Sequence, residues 1–453
     1  MRRLPAILLL LLVAFGGATP GTSAESTPPA GRVLRVPADF ATVEAAIDAS
    51  TSGDLILLAP GTYPGGVDVS EDHPGITIRG ENRNTVVFDG QDIRTNAIDV
   101  EADGVTLENM SAHNFTANGF YWDGVEGFAG RYLTVWNVGL YGIYAISSRG
   151  GVMEESYVSG AADAAFYIGE CNPCDATIRN VTATLSAVGY SGTNAGGNLV
   201  VEDSKWLLNS IGILPNSFEV GLEPPPQRDA IFRRNEVVGS GTVVTPRTTP
   251  LGGYHGVGIG IAGGQENLVQ DNEVRGTTRY GIAVFTAIDR SSSWIPGRNQ
   301  IVGNRVSDSG IADLALAGRT GLQNCFQDNE VVTSAPAGLE GGCARPGTTD
   351  PRVEADLVRA LPDLLVGLPE APSYTEMEAP GDQPSMPLQP IDQPSPQTSP
   401  GLSPDASPAG EPVPSASISE PVLLAAMLVI VAVFAAVIVL VAFRGVRGRP
   451  APP

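Results

Sequence analysis

A tyrosine recurs every 23 residues in the first half of the chain, as Tyr121, Tyr144, Tyr167 and Tyr190. The residues on either side of each tyrosine are mostly apolar. Because alternate residues of a strand share one face, the flanking residues should point inward and the four tyrosines should form an outward column. An aromatic ring with a polar hydroxyl suits sugars, so these tyrosines are candidate carbohydrate-binding residues. The alternative interpretation is a ladder of rings that stabilises the fold without a ligand.

Carboxylates lie close to these segments in three local clusters: Asp123 with Glu126, Glu170 with Asp175, and Glu202 with Asp203. Two acids about 5–9 Å apart can hydrolyse a glycosidic bond, and several converging oxygens can hold Ca²⁺ for a lyase. Glu170 and Asp175 flank a constrained turn, so this pair is the predicted catalytic site. The competing interpretation of every cluster is an ordinary exposed charge.

The four cysteines are Cys171, Cys174, Cys325 and Cys343. The first two form a Cys-x-x-Cys motif, which could serve redox chemistry or, with the other two, a zinc site. No thioredoxin-like βαβ pattern surrounds the motif, and an N-terminal signal described below predicts secretion. We therefore predict two local disulfides, Cys171–Cys174 and Cys325–Cys343, the second of which would tie down the end of the fold.

The elements that position these residues are short and repeated. Residues 104–121 align with residues 127–144 without a gap, and later repeats carry Asn-x-Val at Asn235, Asn272, Asn304 and Asn329. Short strands, frequent glycine and the lack of a long helical pattern indicate one strand-and-turn unit per repeat. Repeats of 23 residues suit a β-solenoid of stacked parallel strands. The asparagines should form an internal ladder at a corner of the coil.

The first repeats carry further signals. Residues 40–47 have the apolar spacing of a short helix, and Gly-Asp-Leu-Ile-Leu-Leu-Ala-Pro-Gly-Thr-Tyr follows at residues 53–63. With Ile-Thr-Ile-Arg-Gly-Glu at 76–81 and the Asn-x-Val repeats, residues 33–343 resemble the pectin-lyase-like superfamily. That resemblance implies an all-β, right-handed parallel β-helix of a bacterial cell surface, with a short N-terminal capping helix.

The resemblance leaves the activity open. The superfamily includes polysaccharide lyases, glycoside hydrolases, esterases, epimerases and noncatalytic surface proteins. Polygalacturonase-like Asn-Thr-Asp, Asp-Asp and Gly-His-Gly segments are absent from the sequence. Whether the chain is an enzyme therefore stays undecided, and a lyase or glycoside hydrolase is the expected class if it is one.

The charge balance excludes nucleic-acid binding. The 453 residues carry 27 Lys and Arg against 49 Asp and Glu, a net charge of −22, and Lys205 is the sole lysine. A protein that neutralises phosphates needs a basic face. The hydrophobic share of 42% in turn excludes a chain that is disordered throughout.

Both ends carry targeting signals. Residues 1–24 have the basic start, short apolar run and small residues of a secretory signal, the alternative being an uncleaved transmembrane helix. Residues 422–443 form an uncharged apolar stretch long enough to span a bilayer, and the arginines of the tail at 444–453 place that tail in the cytoplasm. Residues 344–421 combine a short helical pattern with a Pro/Ser-rich stretch, which predicts a disordered stalk.

Two hypotheses follow for function. The first is a membrane-anchored extracellular β-helix that binds carbohydrate, such as a cell-envelope polysaccharide, or serves as a scaffold or adhesive rod. The second is a polysaccharide lyase, hydrolase or epimerase on the same fold. The acidic chain would repel a polyuronate unless Ca²⁺ bridged the two, so neutral sugars are favoured.

Overall fold

Short strands stack in parallel to build three long sheets in the computed structural model, which describes residues 31–248, 254–289, 292–318, 323–345, 347–359 and 369–387. No helix within these ranges is long and apolar enough to cross a membrane. The predicted signal at 1–24 and the predicted transmembrane helix at 422–443 lie outside the described residues.

Each coil contributes one strand to each sheet in turn. The first sheet contains Val33–Val36, Leu55–Leu58, Thr77–Gly80, Thr106–Glu108, Ala129–Arg131, Val152–Glu154, Ala176–Arg179, Gly196–Glu202, Arg228–Arg233, Leu268–Gln270, Gln300–Val302, Cys325–Gln327 and Gly342–Cys343. The second sheet contains Gly61–Pro64, Val86–Asp89, Ser111–Phe115, Thr134–Val138, Tyr157–Ala161, Thr182–Thr184, Lys205–Leu207, Glu236–Val238, Glu273–Arg275 and Arg305–Ser307. The third sheet contains Val67–Val69, Asn96–Val100, Asn118–Asp123, Ile143–Ile146, Ala164–Gly169, Val188–Thr193, Ile211–Asn216, Val257–Ala262, Tyr280–Phe285, Ala312–Ala317 and Ser334–Ala335.

The core is a column of apolar side chains that point inward from the three sheets. In the third sheet, eight buried residues occupy one register position from coil to coil: Phe120, Ile143, Phe166, Tyr190, Ile213, Ile259, Ile282 and Leu314. Each contacts its neighbour in the coils above and below, about 4.8 Å away, so the core is continuous along the stack.

The ends of the stack are covered as the sequence predicts. The N-terminal helix is Val43–Asp48, which begins three residues later than the predicted 40–47 because the Thr42 hydroxyl caps it by accepting from the Ala45 N–H. Val43 and Ile47 pack into the core. At the other end, a disulfide joins the antiparallel strands that contain Cys325 and Cys343, which confirms the predicted pairing.

Asparagines form the predicted ladder at one corner. Asn235 donates its amide N–H to Oδ1 of Asn272 at 3.0 Å, and the same bond continues from Asn272 to Asn304 and from Asn304 to Asn329. A second ladder of the same kind, which was not predicted, runs through Gln227, Asn267, Asn299 and Asn324.

Two segments after the last coil pack back on the β-helix. Helix Pro351–Glu354 and the π-helical turn Ala355–Arg359 place Val353, Leu357 and Val358 against the third sheet. Residues 369–387, which we call the strap, follow the second sheet and contain one short 3₁₀ helix, Tyr374–Glu376. The structure therefore differs from the predicted stalk over these residues, because side chains of the β-helix bond to the strap backbone.

Candidate functional site

The outer face of the third sheet carries a single column of residues in register along the coils. Its members are Asp68, Asp99, Tyr121, Tyr144, Tyr167, Ser191, Leu214, Gly260, Ala283, Ala315 and Ala335. We call the part from Asp68 to Tyr167 the open half and the part from Leu214 onward the covered half. Ser191 lies at the boundary.

Three of the four predicted tyrosines occupy this column, and the fourth does not. Tyr190 pairs with Phe166 and is fully buried in the core, whereas Tyr167 pairs with Ser191. The prediction of an outward Tyr190 is wrong because the coil is longer by one residue at this point, and such a shift moves a side chain to the opposite face.

The tyrosine cluster consists of Tyr121, Tyr141, Tyr144 and Tyr167. The Tyr144 ring stacks on Tyr121 at a centroid distance of 4.7 Å and on Tyr141 at 4.3 Å. Tyr167 meets Tyr144 edge-on at 4.9 Å and is only 5% exposed. Because the inner rings lie against one another, Tyr121 at the end of the stack is the ring best placed to offer a face to a ligand.

Carboxylates bond to the hydroxyls of this cluster. The Tyr121 hydroxyl donates to Oδ2 of Asp123 at 2.8 Å, and the Tyr141 hydroxyl bonds to Asp163. Burial raises the pKa of Asp163 to about 6. Burial also raises the pKa of each tyrosine in the cluster, so all four hydroxyls remain neutral donors.

Asp99 is the acid next to Tyr121 in the column. Asn96 donates to its Oδ2 at 3.0 Å, while its Oδ1 is buried without a hydrogen-bond partner among the described residues. Burial, and then the nearby charges of Asp68, Glu101 and Asp123, raise the pKa of Asp99 to about 6. This carboxyl therefore changes its charge at mildly acidic pH.

An acidic groove of about 610 Å³ adjoins the end of the tyrosine stack, lined by Glu71, Pro74, Glu101, Asp103, Asp123 and Gly124. Asp123 belongs to both, since it accepts the Tyr121 hydroxyl and lines the groove. No group of three or more His, Cys, Asp or Glu in the described ranges is arranged to hold a metal ion.

The predicted catalytic pair has separate surroundings. Glu170 is 5% exposed and accepts hydrogen bonds from the Glu223 N–H at 3.1 Å and from the Asn194 amide at 3.5 Å. Asp175 is half-buried and accepts from the Asn198 amide at 2.8 Å. The hydrogen bonds of the two acids thus lead to different residues, and their catalytic role stays a prediction.

The loop at residues 218–223 covers Glu170. A Cβ atom added to Gly221 would lie 2.2 Å from Oε2 of Glu170, so the loop backbone rests directly on the carboxyl. Burial raises the pKa of Glu170 to about 7. Beside the loop, strands Ala287–Asp289 and Ser292–Trp294 form an antiparallel pair. The Glu219 N–H donates to Asp289 of this pair at 3.0 Å, which holds the loop in place.

The cysteine motif forms the second predicted disulfide, Cys171–Cys174, with both residues buried in the core. All four cysteines of the chain are therefore oxidised in pairs, and the zinc and redox-motif alternatives do not apply to this structure.

Sequence reasoning missed Asp99, Tyr141 and Asp163 as members of the site. Asn96 and Asp99 take the same places in their strand as Asn118 and Tyr121 in the next, but at a spacing of 22 residues rather than 23. The 23-residue tyrosine spacing therefore leads to the buried Ile98 and not to Asp99. Tyr141 and Asp163 precede their strands, where the repeat gives no side-chain direction.

Comparison with known proteins supports the architecture. Residues 118–286 match the family model described as right handed beta helix region. No curated protein matches the chain significantly. Among solved structures, the A-module of the Azotobacter vinelandii mannuronan C-5 epimerase AlgE6 is 12% identical with a TM-score of 0.41, covering 64% of this chain and 86% of that chain.

Two further solved structures are similar at the same level. The alginate lyase from Paenibacillus sp. str. FPU-7 is 15% identical with a TM-score of 0.41, covering 68% of this chain and 97% of its own. The catalytic domain of a GH87 α-1,3-glucanase is 14% identical with a TM-score of 0.42, covering 70% of each chain. The described part of the chain is a parallel β-helix of three sheets, and its residues 118–286 match the right handed beta helix region.

Proposed function

We propose that the open half of the third sheet binds an uncharged glycan at the junction of the tyrosine stack and the acidic groove. The observation that carries this proposal is the position of Tyr121, a half-exposed ring at the end of the stack whose hydroxyl bonds to a carboxylate that lines the groove. The C–H face of a sugar ring packs on an aromatic ring, and sugar hydroxyls donate to carboxylates.

The charge of the groove supports a neutral ligand. Four of its lining residues are acids, and Asp99 lies beside them. A polyuronate would be repelled by these charges, whereas an uncharged chain can donate hydroxyl protons to the same oxygens.

The test is glycan-array binding by the full-length protein with changes at Tyr121. Tyr121→Ala should weaken binding at least tenfold because the packing surface is lost, and Tyr121→Phe should stay within about threefold because the ring remains. Tyr157→Ala is a matched control, since Tyr157 is a half-buried tyrosine of the second sheet. Unchanged binding by Tyr121→Ala would reject this site.

Asp99 supports a second candidate, glycan hydrolysis on the same face. A carboxyl with a pKa of about 6 and an unbonded buried oxygen resembles a general acid, and Asp123 on the next strand could act as its partner. Release of reducing ends by the full-length protein between pH 5 and 7, abolished in Asp99→Asn, would support catalysis. If the protein binds glycans but releases no reducing ends from any of them, the hydrolysis hypothesis is rejected and the binding function stands.

We further propose that the protein is anchored at the cell membrane with the β-helix outside. This rests on the secretory signal at 1–24 and on the uncharged segment at 422–443 with arginines after it. Membrane fractionation, followed by protease treatment of intact cells, tests it. Recovery in the soluble fraction would reject the anchor.

A further inference from the structure

The strap runs backward along the β-helix, from later coils toward the first coils. Met377 packs on Gly160 in the fifth strand of the second sheet, and Gln383 bonds to Asn84 just before the second strand. Three steps between strands cover about 14 Å at roughly 4.8 Å each. Six residues of extended chain span about 19 Å at roughly 3.1 Å each, so the segment is long enough for this path.

Side-chain amides of the β-helix bond to the backbone of the strap. Asn84 donates to the Gln383 carbonyl at 2.9 Å and accepts from the Gln383 N–H at 3.0 Å, which is the pattern of a paired strand. Three residues later, the Met386 N–H donates to Oδ1 of Asn109 at 2.9 Å, one coil back toward the later coils. Such contacts fix the backbone of a bound peptide in place.

Two more side chains complete this recognition. The side-chain amide of Asn137 is oriented with its nitrogen toward the strap. It donates to the carbonyls of Tyr374 at 2.9 Å and Met377 at 3.1 Å. Arg83 is 2% exposed and donates to the Pro384 carbonyl at 2.8 Å, besides its bonds to Thr134 and to the carbonyls of Leu133 and Glu155. The strap therefore supplies one of four acceptors of a buried guanidinium that the β-helix already holds in place.

A glycine forms a hollow for one side chain of the strap. A Cβ atom at Gly160 would lie 2.9 Å from Cγ of Met377, so the methionine packs where only a glycine leaves room. The strap thus combines backbone recognition with one fitted side chain, which an unspecific crossing of the surface would not need.

We propose that Arg83, Asn84, Asn109 and Asn137 form a binding groove for an extended peptide and that its occupant is the chain's own segment 373–386. The docked segment reverses the chain, so that residues 383–386 lie beside the early coils rather than beside the last. This assignment is independent of the proposed glycan site, which lies on the third sheet.

Hydrogen exchange in the unmodified full-length protein tests the docking directly. The N–H groups of Gln383 and Met386 donate to asparagine side chains, so they should exchange at least tenfold more slowly than in a free peptide of the same sequence. Exchange at the rate of the free peptide would overturn the proposal.

Energy transfer within one chain tests the reversal. A dye at Ser395→Cys is paired with a second dye at Ser52→Cys in the first coils or at Val332→Cys in the last coils, both exposed positions. These two positions are about 48 Å apart, counted as ten strand steps of roughly 4.8 Å. Transfer should be at least twofold more efficient from position 52, and equal or reversed efficiencies would contradict the proposal.

Matched variants identify the contacts responsible. Asn84→Asp with Met377→Ala removes one amide donor and one fitted side chain, and should abolish both the slow exchange and the difference in transfer. Gln383→Ala is the control, because its side chain donates to Gly381 within the strap while its backbone makes the contact with Asn84. Retained protection in the double variant would refute the groove.

Mixing separates docking within one chain from exchange between chains. Full-length protein carrying only the donor dye is unfolded and refolded together with protein carrying only the acceptor dye. No transfer should appear between chains at nanomolar concentration. Transfer in the mixture would show that the strap of a second copy occupies the groove, which contradicts the proposed occupant.

Discussion

The open and covered halves of the third sheet share one backbone geometry and differ in what lies on top of them. In the covered half the outer column contains Ala283 and Ala315, which are buried under Tyr254 and the segment Pro351–Glu354. In the open half the same column contains Asp99 and Tyr121, which remain in partial contact with water. Because every coil places a residue at the same position of the column, the two halves can be compared residue by residue. Acidic and aromatic residues mark the half that a ligand can reach, and small apolar residues mark the half that is covered.

The largest effect is expected from a charge placed in the covered half. Ala283→Asp should lower the free energy of unfolding by about 5 kcal/mol because the carboxylate would be buried without a partner. Tyr121→Asp in the open half should cost about 1 kcal/mol, since water reaches that position. Urea denaturation of both variants measures the difference, and equal losses would break the comparison.

The second effect concerns the tyrosine that does not belong to the outer column. Tyr190→Ala should destabilise the protein by about 3–4 kcal/mol, because it leaves a cavity among Phe166, Trp206 and Phe232. Tyr144→Ala removes a ring from the surface stack and should cost about 1 kcal/mol. Thermal unfolding distinguishes the two, and a larger loss for Tyr144→Ala would place Tyr190 outside the core.

The third effect arises at the boundary between the halves. The pKa of Glu170 is about 7 in the folded protein and ordinarily about 4.5, so the folded state holds the proton more tightly. Stability should therefore fall as the pH rises from about 4.5 to 7, by about 2–3 kcal/mol. Glu170→Gln should remove this fall, as measured by urea midpoints at pH 4.5 and pH 8. The same pH dependence in parent and variant would assign it to other groups.

The smallest effect is on ligand affinity in the open half. Below pH 6 Asp99 is protonated, and above it the ionised carboxylate is a stronger acceptor for the hydroxyls of a neutral glycan. Affinity for such a glycan should therefore rise roughly fivefold, about 1 kcal/mol, between pH 5 and pH 7. Asp99→Asn should bind with a flat profile in the same titration, and a retained slope would point to another carboxyl.

The repeat made much of the fold predictable. The parallel coils, the capping helix, the asparagine ladder and both disulfides follow from local patterns that the repeat brings into contact. The column was predicted correctly only where the coil length stayed constant, as for Tyr121, Tyr144 and Tyr167. Tyr190 keeps the tyrosine spacing in sequence but belongs to a coil that is one residue longer. Sequence spacing alone does not show in which coil a residue has been inserted.

The candidate site was less predictable than the fold. Side chains at the ends of strands, such as Tyr141 and Asp163, take directions set by turns rather than by the two-residue period. The strap was missed because its composition is that of a disordered segment. Its docking depends on the side-chain amides of Asn84, Asn109 and Asn137, and no periodic sequence pattern predicts these contacts.

The strap also determines where a mechanical load would enter the molecule. Tension applied to the chain beyond residue 387 is met first by the bonds at Asn109 and Asn84, in the early coils. Behind them along the strap lie the contacts of Met377 and Tyr374 with Asn137, so the load passes through several bonds before it reaches residue 369. The last coil, closed by Cys325–Cys343, is thereby shielded from a pull that would otherwise peel it from the end of the sheets.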